Sequence, residues 1–506
     1  MMDERPEARD GWRAVLGEIV ISVAAATLLP LACRHIRVDP MDRIGQVSGL
    51  SAIELRFTVV AIALVVALAV AARVRGGRGF SIASRLACAA VAGLATGIIA
   101  GGILVALRGT HYGLNGLEGD MGRIVDSADA IRRGEDVPLI YPPLSLHGLA
   151  WYAELFNMKT AFAMKDMQVI GTAALGPATY LAWRLILRPT WALGVGLVAA
   201  LPLIDSAPYK SYSVLVLLVF IPISIRFLIE LRSAASLSLF AVARRGIGFG
   251  LVFGVLCLLY SGWFKWSAPG LLVAGAVVFP WRSAVGRGAL MVGLLAACFA
   301  LVAGPYIYAV LTDIGQIDDK FIYFDALTEP TYIAMFGGDL PASDVWPPLG
   351  ELGGVGLFTI IMALGFGGAI AYGRNRTEII VLGSVVGGTW LARFWYAHFM
   401  FKTKLVQLYP RTTSELLYCI LAMCGLTVYY AAERARTRAD AESPLLTPSG
   451  VIGGLCGLMM LLGSAGSVIS NRYMPNNYKQ MSFGILAYNA HTYKVAMPVP
   501  LPMVKK

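Results

Sequence analysis

Long apolar runs recur along the whole chain, and they constrain its fold more than any other feature. Most are roughly 17–23 residues long, about enough for a helix to cross a bilayer. Charged residues make up only 14% of the chain. We therefore predict an all-α polytopic membrane protein with about 13 transmembrane helices, lying near 14–33, 53–72, 86–107, 167–183, 189–204, 212–229, 246–263, 268–281, 288–311, 353–373, 379–396, 413–432 and 449–470. The fifth and eighth runs are short enough to be re-entrant pieces.

The placement of Lys and Arg indicates how these spans are oriented. With a cytoplasmic N-terminus and alternating spans, the inner segments hold 20 basic and 9 acidic residues, which accounts for the net charge of +11. Such a bias is typical of cytoplasmic loops. We expect a multi-pass plasma-membrane protein with a transmembrane domain over 1–470 and a short extracytoplasmic tail over 471–506. Its basic charge then indicates topology and contact with anionic lipids rather than nucleic acid.

The first large outer loop, 108–166, has a recognisable internal pattern around Asp120. Apolar residues recur there at the spacing of a short amphipathic helix on the membrane surface: Ile124, Val125, Ala128 and Ile131. Asp120 is expected at or just before the start of this helix. A carboxylate at the mouth of a membrane bundle is suited to act as a base, and Glu118 is the rival for that role. The alternatives are an ordinary solvated loop acid and an acid that caps the helix, although capping is compatible with a catalytic role.

A lone lysine lies between two tryptophans at the outer end of a predicted span. Lys265 is suited to bind a lipid phosphate, while Trp263 and Trp266 are suited to stack on a sugar or a prenyl chain. The alternative is a lysine that extends from an aromatic belt towards water.

The segment 393–411 also interleaves cations with aromatic residues at the outer face. Arginine suits bidentate phosphate contact and lysine acts as a point charge. We therefore predict that this segment holds an anion against an apolar surface. The alternative is general anchoring to lipid headgroups. Its candidate phosphate-binding residues are Arg393, Lys402, Lys404 and Arg411, and its candidate sugar-binding residues are His398, Gln407 and Tyr409.

The second large outer loop, 312–352, is acidic and aromatic, as sugar-binding surfaces often are. Asp339 is its candidate ligand for a sugar, and Tyr141 before Pro142 is another such candidate in the first loop. A plain solvated acidic loop is the alternative for 312–352.

The seven cysteines fall almost entirely within spans and form no CxxC pair. We interpret them as small apolar residues rather than as disulfides or metal ligands.

Five motifs, in this order, resemble a known family. The layout of many spans and an acidic first outer loop is similar to GT-C-type membrane glycosyltransferases. More specifically, the motifs resemble those of the AftA-type galactan arabinofuranosyltransferases of actinobacterial cell walls. They are Gly119-Asp120, Tyr141-Pro142-Pro143, Tyr260 to Trp266, Gly338 to Pro341 with Pro347 to Glu351, and Val406 to Thr413.

The resemblance implies a reaction and its partners. Arabinofuranose would move from decaprenyl-phosphoryl arabinofuranose to the lipid-linked galactan of arabinogalactan, on the outer face and with inversion. Asp120 would be the base, and Arg411, Lys265 and Lys404 would hold the departing phosphate. Some relatives use a divalent cation, but no fixed ligand set is evident here, and no cofactor is assigned. Family members carry a soluble C-terminal domain, whereas 471–506 is short, so the role of that domain is not carried over.

Other functional classes remain as alternatives. A polysaccharide transporter or lipid flippase would favour ionisable residues at mid-membrane. A non-catalytic scaffold would need none of the candidate residues. Mannosyltransferases and polymer ligases of the same architecture differ only in donor and acceptor, and only the motif resemblance separates them.

Overall fold

The computed structural model describes residues 12–74, 76–137, 141–206, 208–313, 357–403, 409, 411–439, 448–477 and 484–493. Across these ranges the chain is helical and contains no strand. The helices are α1 (Trp12–Cys33), α2 (Arg43–Val74), α3 (Gly76–Ala106), α4 (Asp120–Arg132), α5 (Pro143–Leu155), α6 (Thr160–Arg184), α7 (Pro189–Ser206), α8 (Ser211–Arg232), α9 (Leu239–Leu259), α10 (Gly262–Val278), α11 (Val285–Asp313), α12 (Leu357–Gly373), α13 (Thr377–Thr403), α14 (Arg411–Ala439), α15 (Pro448–Tyr473) and α16 (Gly484–Thr492).

Each predicted span overlaps one of these helices, and the expected all-helical membrane protein is confirmed. The predicted span 246–263 extends past the end of α9 into α10, and residues 353–356 of the tenth span lie outside the described residues. Within the described ranges, nine helices are long and apolar enough to cross a membrane: α1, α2, α3, α8, α9, α11, α13, α14 and α15. Shorter apolar stretches occur in α7 and α12. α10 has only 17 residues, and α6 carries Lys165 and Asp166 near its start. Length and composition alone therefore do not reach the predicted count of 13.

α3 lies at the centre of one half of the bundle, packed against α1, α2, α6, α7 and α15. Close approach depends on glycine, as is usual between membrane helices. A Cβ at Gly93 would collide with the backbone of α1 at Ser22, and one at Gly176 would collide with the backbone of α3 at Ala92. These glycines bring α1 and α6 against α3.

An ionic cluster ties the same three helices together near the start of α1. The buried carboxylate of Glu18 pairs with Arg85 of α3 and with Arg184 of α6. A second set of ion pairs lies near the end of α8, where Arg226 of α8 and Arg245 of α9 pair with Glu230. A buried carboxylate needs such partners, because an unpaired charge in an apolar interior is costly. We call the opposite end, where α3, α7 and α9 finish and α8 and α14 begin, the Asp120 end.

The predicted surface helix exists as α4, and a second short helix, α5, follows it and starts at Pro143. The apolar face of α4 packs on α5 and α6 in a small separate core. Proline suits the first position of α5 because an N–H there has no intrahelical acceptor.

The last described helix, α16, packs on the segment that follows α3. Asn115 N–H donates to the carbonyl of Leu486 at 2.7 Å. Thr110 Oγ1 donates to the carbonyl of Ala490 at 2.7 Å, and the rings of Tyr112 and Tyr493 lie 5.1 Å apart. Part of the predicted C-terminal tail is therefore bound to the first loop.

Candidate functional site

Asp120 is the first residue of α4, as predicted, but it does not cap the helix. The N-cap position belongs to Gly119, whose φ of 56° suits glycine. The carboxylate of Asp120 instead accepts a hydrogen bond of 2.5 Å from Tyr141 Oη and pairs with Lys210 Nζ. The capping interpretation is therefore wrong, because both carboxylate oxygens are committed to side chains from elsewhere in the chain.

Lys210 reaches Asp120 from the short 3-10 turn Pro208–Lys210 that precedes α8. The residue is only 8% exposed, and its ammonium lies 5.6 Å from the ring centre of Tyr209. A lysine this buried needs a negative partner to offset lost hydration. Asp120 supplies that partner.

Opposing effects act on the pKa of Asp120. Burial of the carboxyl group raises the pKa, whereas the charge and hydrogen bond of Lys210, the hydrogen bond of Tyr141 and the charge of Arg411 lower it. The pKa ends below its ordinary value. Asp120 is therefore ionised at neutral pH and is a proton acceptor rather than a donor.

Arg411, the first residue of α14, belongs to the same cluster. Its charge acts on the carboxylate of Asp120, and it lies near the phenols of three tyrosines, Tyr209, Tyr212 and Tyr260. The rings of Tyr212 and Tyr260 lie 6.2 Å apart. The structure thus brings together Asp120 and Arg411, which lie far apart in the chain. We call the set Asp120, Tyr141, Tyr209, Lys210, Tyr212, Tyr260 and Arg411 the Asp120 cluster.

The two candidate tryptophans are buried inside the bundle. Trp263 is 2% exposed; its Nε1 donates to the carbonyl of Ser213 at 2.7 Å, and its ring lies 5.5 Å from that of Tyr260 in the Asp120 cluster. Trp266 is fully buried, and its ring lies 4.9 Å from that of Tyr396 on α13. Trp263 therefore borders the Asp120 cluster, whereas Trp266 packs against α13.

Lys265 is exposed and lies over aromatic rings of α10 and α13. Its ammonium is 4.6 Å from the ring centre of Tyr396 and 5.3 Å from that of Trp266. These ring contacts place the Lys265 ammonium between α10 and α13. On the same helix as Tyr396, His398 and Lys402 are exposed.

Arg393 is buried beneath the start of α14. Its Nη1 donates to Thr412 Oγ1 at 2.6 Å and to Thr413 Oγ1 at 3.2 Å, and its guanidinium lies 4.2 Å from the ring centre of Tyr409. Tyr409 is itself buried. Arg393 therefore links α13 to the residues on either side of Arg411, in a position to orient that arginine.

The rival acid, Glu118, points to a different part of the molecule. Its Oε2 accepts a hydrogen bond of 2.9 Å from Asn489 of α16. Glu118 is exposed. The three remaining candidates, Lys404, Gln407 and Asp339, lie outside the described residues.

The part of the chain that the structure describes contains no evident metal-binding site. No group of three or more His, Cys, Asp or Glu side chains is close enough there to hold an ion. A bound divalent cation therefore stays a prediction from the resemblance alone.

Sequence reasoning missed Lys210, Tyr209 and Tyr212. A signal was present, because Pro208-Tyr209-Lys210-Ser211-Tyr212 places a lysine among aromatic residues at the end of a span. The same pattern drew attention to Lys265. Position at the span end did not reveal which of these lysines meets Asp120.

No protein-family model matches this chain, and no curated protein matches it significantly. Its function is therefore inferred from the geometry of the Asp120 cluster and from the motifs themselves.

Proposed function

We propose that this chain is a membrane glycosyltransferase that uses a polyprenyl-phosphate sugar as donor. The observation that carries the proposal is the meeting of one ionised carboxylate, Asp120, with two cations, Lys210 and Arg411, at one end of a membrane bundle. A carboxylate beside cations combines a proton acceptor with a place for a departing phosphate. Both are needed for sugar transfer from a lipid phosphate.

The particular reaction follows from the resemblance in motif order. The donor is decaprenyl-phosphoryl arabinofuranose, and the acceptor is the lipid-linked galactan of arabinogalactan. The acceptor hydroxyl oxygen attacks the anomeric carbon from the side opposite the phosphate, which inverts the configuration. Its proton passes to Asp120. The bond between the anomeric carbon and the phosphate oxygen breaks, and the polyprenyl phosphate leaves with the bonding electrons.

Lys210 and Arg411 have complementary parts in this scheme. Arg411 offers a planar guanidinium suited to two phosphate oxygens. Lys210 can bind either the carboxylate of Asp120 or an incoming phosphate. Movement of its ammonium towards the phosphate would loosen its hold on Asp120 as the acceptor hydroxyl arrives. Lys265 of α10 and Lys402 of α13 would then bind the lipid phosphate after its departure, and Lys404 is proposed for the same role from the sequence alone.

The orientation of the bundle in the membrane is inferred from the arginines at one of its ends. Arg85, Arg184, Arg226 and Arg245 lie at helix ends opposite the Asp120 end. The positive-inside rule assigns that end to the cytoplasm. With 13 spans and a cytoplasmic N-terminus, the Asp120 cluster faces the extracytoplasmic side. Water-soluble nucleotide sugars are absent there, so the activated sugar must arrive on a lipid.

The deciding experiment replaces Asp120 by Asn in the full-length chain reconstituted in lipid. Transfer of labelled arabinofuranose from the polyprenyl donor to a galactan acceptor is measured. We expect a loss of at least about a hundredfold, because the general base is removed, in a protein that still folds but melts at a lower temperature, because buried Lys210 loses its charged partner.

Asp126→Asn is the matched control, because Asp126 is an exposed acid on the same helix. It should transfer at the wild-type rate. Full activity in the Asp120→Asn variant would refute the proposal. So would movement of the polyprenyl lipid between leaflets by wild-type protein without any sugar transfer.

A further inference from the structure

A second feature of the Asp120 end is an apolar groove between α1 and α6, with a volume of about 860 Å³. Its walls come from small and branched residues, among them Val23, Ala26 and Pro30 of α1 and Val169 and Ala173 of α6. The groove therefore offers an apolar surface that matches lipid chains rather than a polar solute.

The groove has the length of one leaflet. It runs along α1 from Val23 to Cys33, a separation of ten residues, which corresponds to about 15 Å at the helical rise. The hydrocarbon core of a bilayer is about 30 Å thick. A chain lying in the groove would thus extend from the headgroup level to about the bilayer centre.

Cations line the end of the groove at headgroup level. Arg34, Arg108 and Lys165 contribute to its lining, against the single carboxylate of Asp166. His111 lies at the same end. An excess of positive charge at the end of an apolar groove matches a lipid that combines a long chain with a phosphate.

Backbone contacts hold two of these cations in place. Arg108 Nη1 donates to the carbonyl of Arg34 at 2.8 Å. Lys165 Nζ donates to the carbonyls of Leu107 and Thr110 at 2.9 and 2.7 Å. These anchors preorganise the positive rim, which reduces the entropy lost when a ligand binds.

We infer that this groove is a binding site for a phosphate-bearing membrane lipid, separate from the Asp120 cluster. α4 links the two places. It begins at Asp120 and extends about 20 Å to Arg132, whose Nη1 donates at 3.2 Å to the carbonyl of Met158, a residue of the groove. The inference does not depend on the proposed transferase activity.

Native mass spectrometry of the detergent-purified full chain tests this site. The probe is phosphatidylglycerol. Diacylglycerol with the same chains is the control ligand, because it lacks the phosphate. The wild type should bind the phospholipid and not the diacylglycerol. The double variant Arg34→Gln with Arg108→Gln should bind about thirtyfold more weakly, since each cation near a membrane surface contributes to attraction of anionic lipid. Arg37→Gln is the matched control, an exposed arginine three residues from Arg34, and should bind normally.

A second pair of variants tests the apolar wall. Ala174→Trp fills the groove and should weaken binding, whereas Ala63→Trp, at an exposed position on α2, should not. Equal binding by wild type and by both groove variants overturns the inference, as does complete displacement of the lipid by inorganic phosphate. Asp120→Asn should bind phosphatidylglycerol normally, so a failed transferase proposal and a failed groove give different results.

Discussion

Lys210 Nζ donates to Oδ2 of Asp120, joining the turn before α8 to the first residue of α4. The two residues are 90 positions apart in the chain. Their pairing makes Asp120 more than a helix-terminal acid, because its ionisation now depends on a cation from a different part of the bundle.

Removal of the ammonium at 210 should reduce sugar transfer. We expect Lys210→Met to lower kcat/KM by about a hundredfold, as when one preorganised charge-stabilising donor is lost from an active site. Lys210→Arg keeps the charge and should retain activity within about tenfold. Lys159→Ala, at an exposed lysine before α6, serves as control. Wild-type kinetics in the Lys210→Met variant would remove Lys210 from the site.

The pH dependence should change in the same variant. In the wild type, the depressed pKa of Asp120 means that its pairing stabilises the fold above the ordinary carboxyl pKa. That contribution is lost as pH falls through the lower pKa of the folded state. Without Lys210 the effect of burial is less opposed, so the pKa should rise. The acidic limb of the kcat/KM profile should therefore move to higher pH in Lys210→Met and stay in place in Lys210→Arg.

Loss of the phenol at 141 should have a smaller effect. Tyr141→Phe removes one hydrogen bond of 2.5 Å to the carboxylate and leaves the ring. The lower end of the contribution of a hydrogen bond to a charged group is about 1.5 kcal/mol, so we expect kcat/KM to fall by about tenfold, since Lys210 still holds the carboxylate. Tyr152→Phe is the control, because its hydroxyl donates to Asp166 at 3.4 Å, away from Asp120. Equal effects of the two variants would argue against a direct role of Tyr141.

Replacement of Glu118 should affect α16 and leave sugar transfer nearly unchanged, in contrast to replacement of Asp120. Glu118→Ala removes the hydrogen bond from Asn489 and should loosen α16, with faster amide hydrogen exchange over 484–492 and nearly unchanged transfer. The expected acceleration is about fivefold, from about 1 kcal/mol of lost hydrogen bonding. Glu135→Ala, an exposed acid paired with Arg133, should change neither measurement. Loss of transfer in Glu118→Ala as large as in Asp120→Asn would instead identify Glu118 as the base.

Local patterns in the sequence predicted local structure well. Apolar runs predicted helices at all thirteen places, because burial in lipid requires internal backbone hydrogen bonding wherever such a run occurs. The apolar spacing after Asp120 predicted α4, and its start at Asp120 was correct. The capping role failed because a cap depends on where the carboxylate points, and Lys210, from the turn before α8, binds it instead. The expectation for 312–352 lies outside the described residues.

By itself, the sequence determined the class of protein, the positions of its helices and the segment that holds the candidate acid, since all three depend on nearby residues. Only the tertiary structure decided which residues surround that acid. Lys210 precedes α8 and Arg411 begins α14, and the close packing of the bundle brings the starts of these two helices to one end. Lys265 occurs in an equally suggestive pattern, but it lies over Tyr396. The physical reason is that hydropathy specifies that a helix spans the membrane, whereas side-chain packing and glycine contacts specify its neighbours.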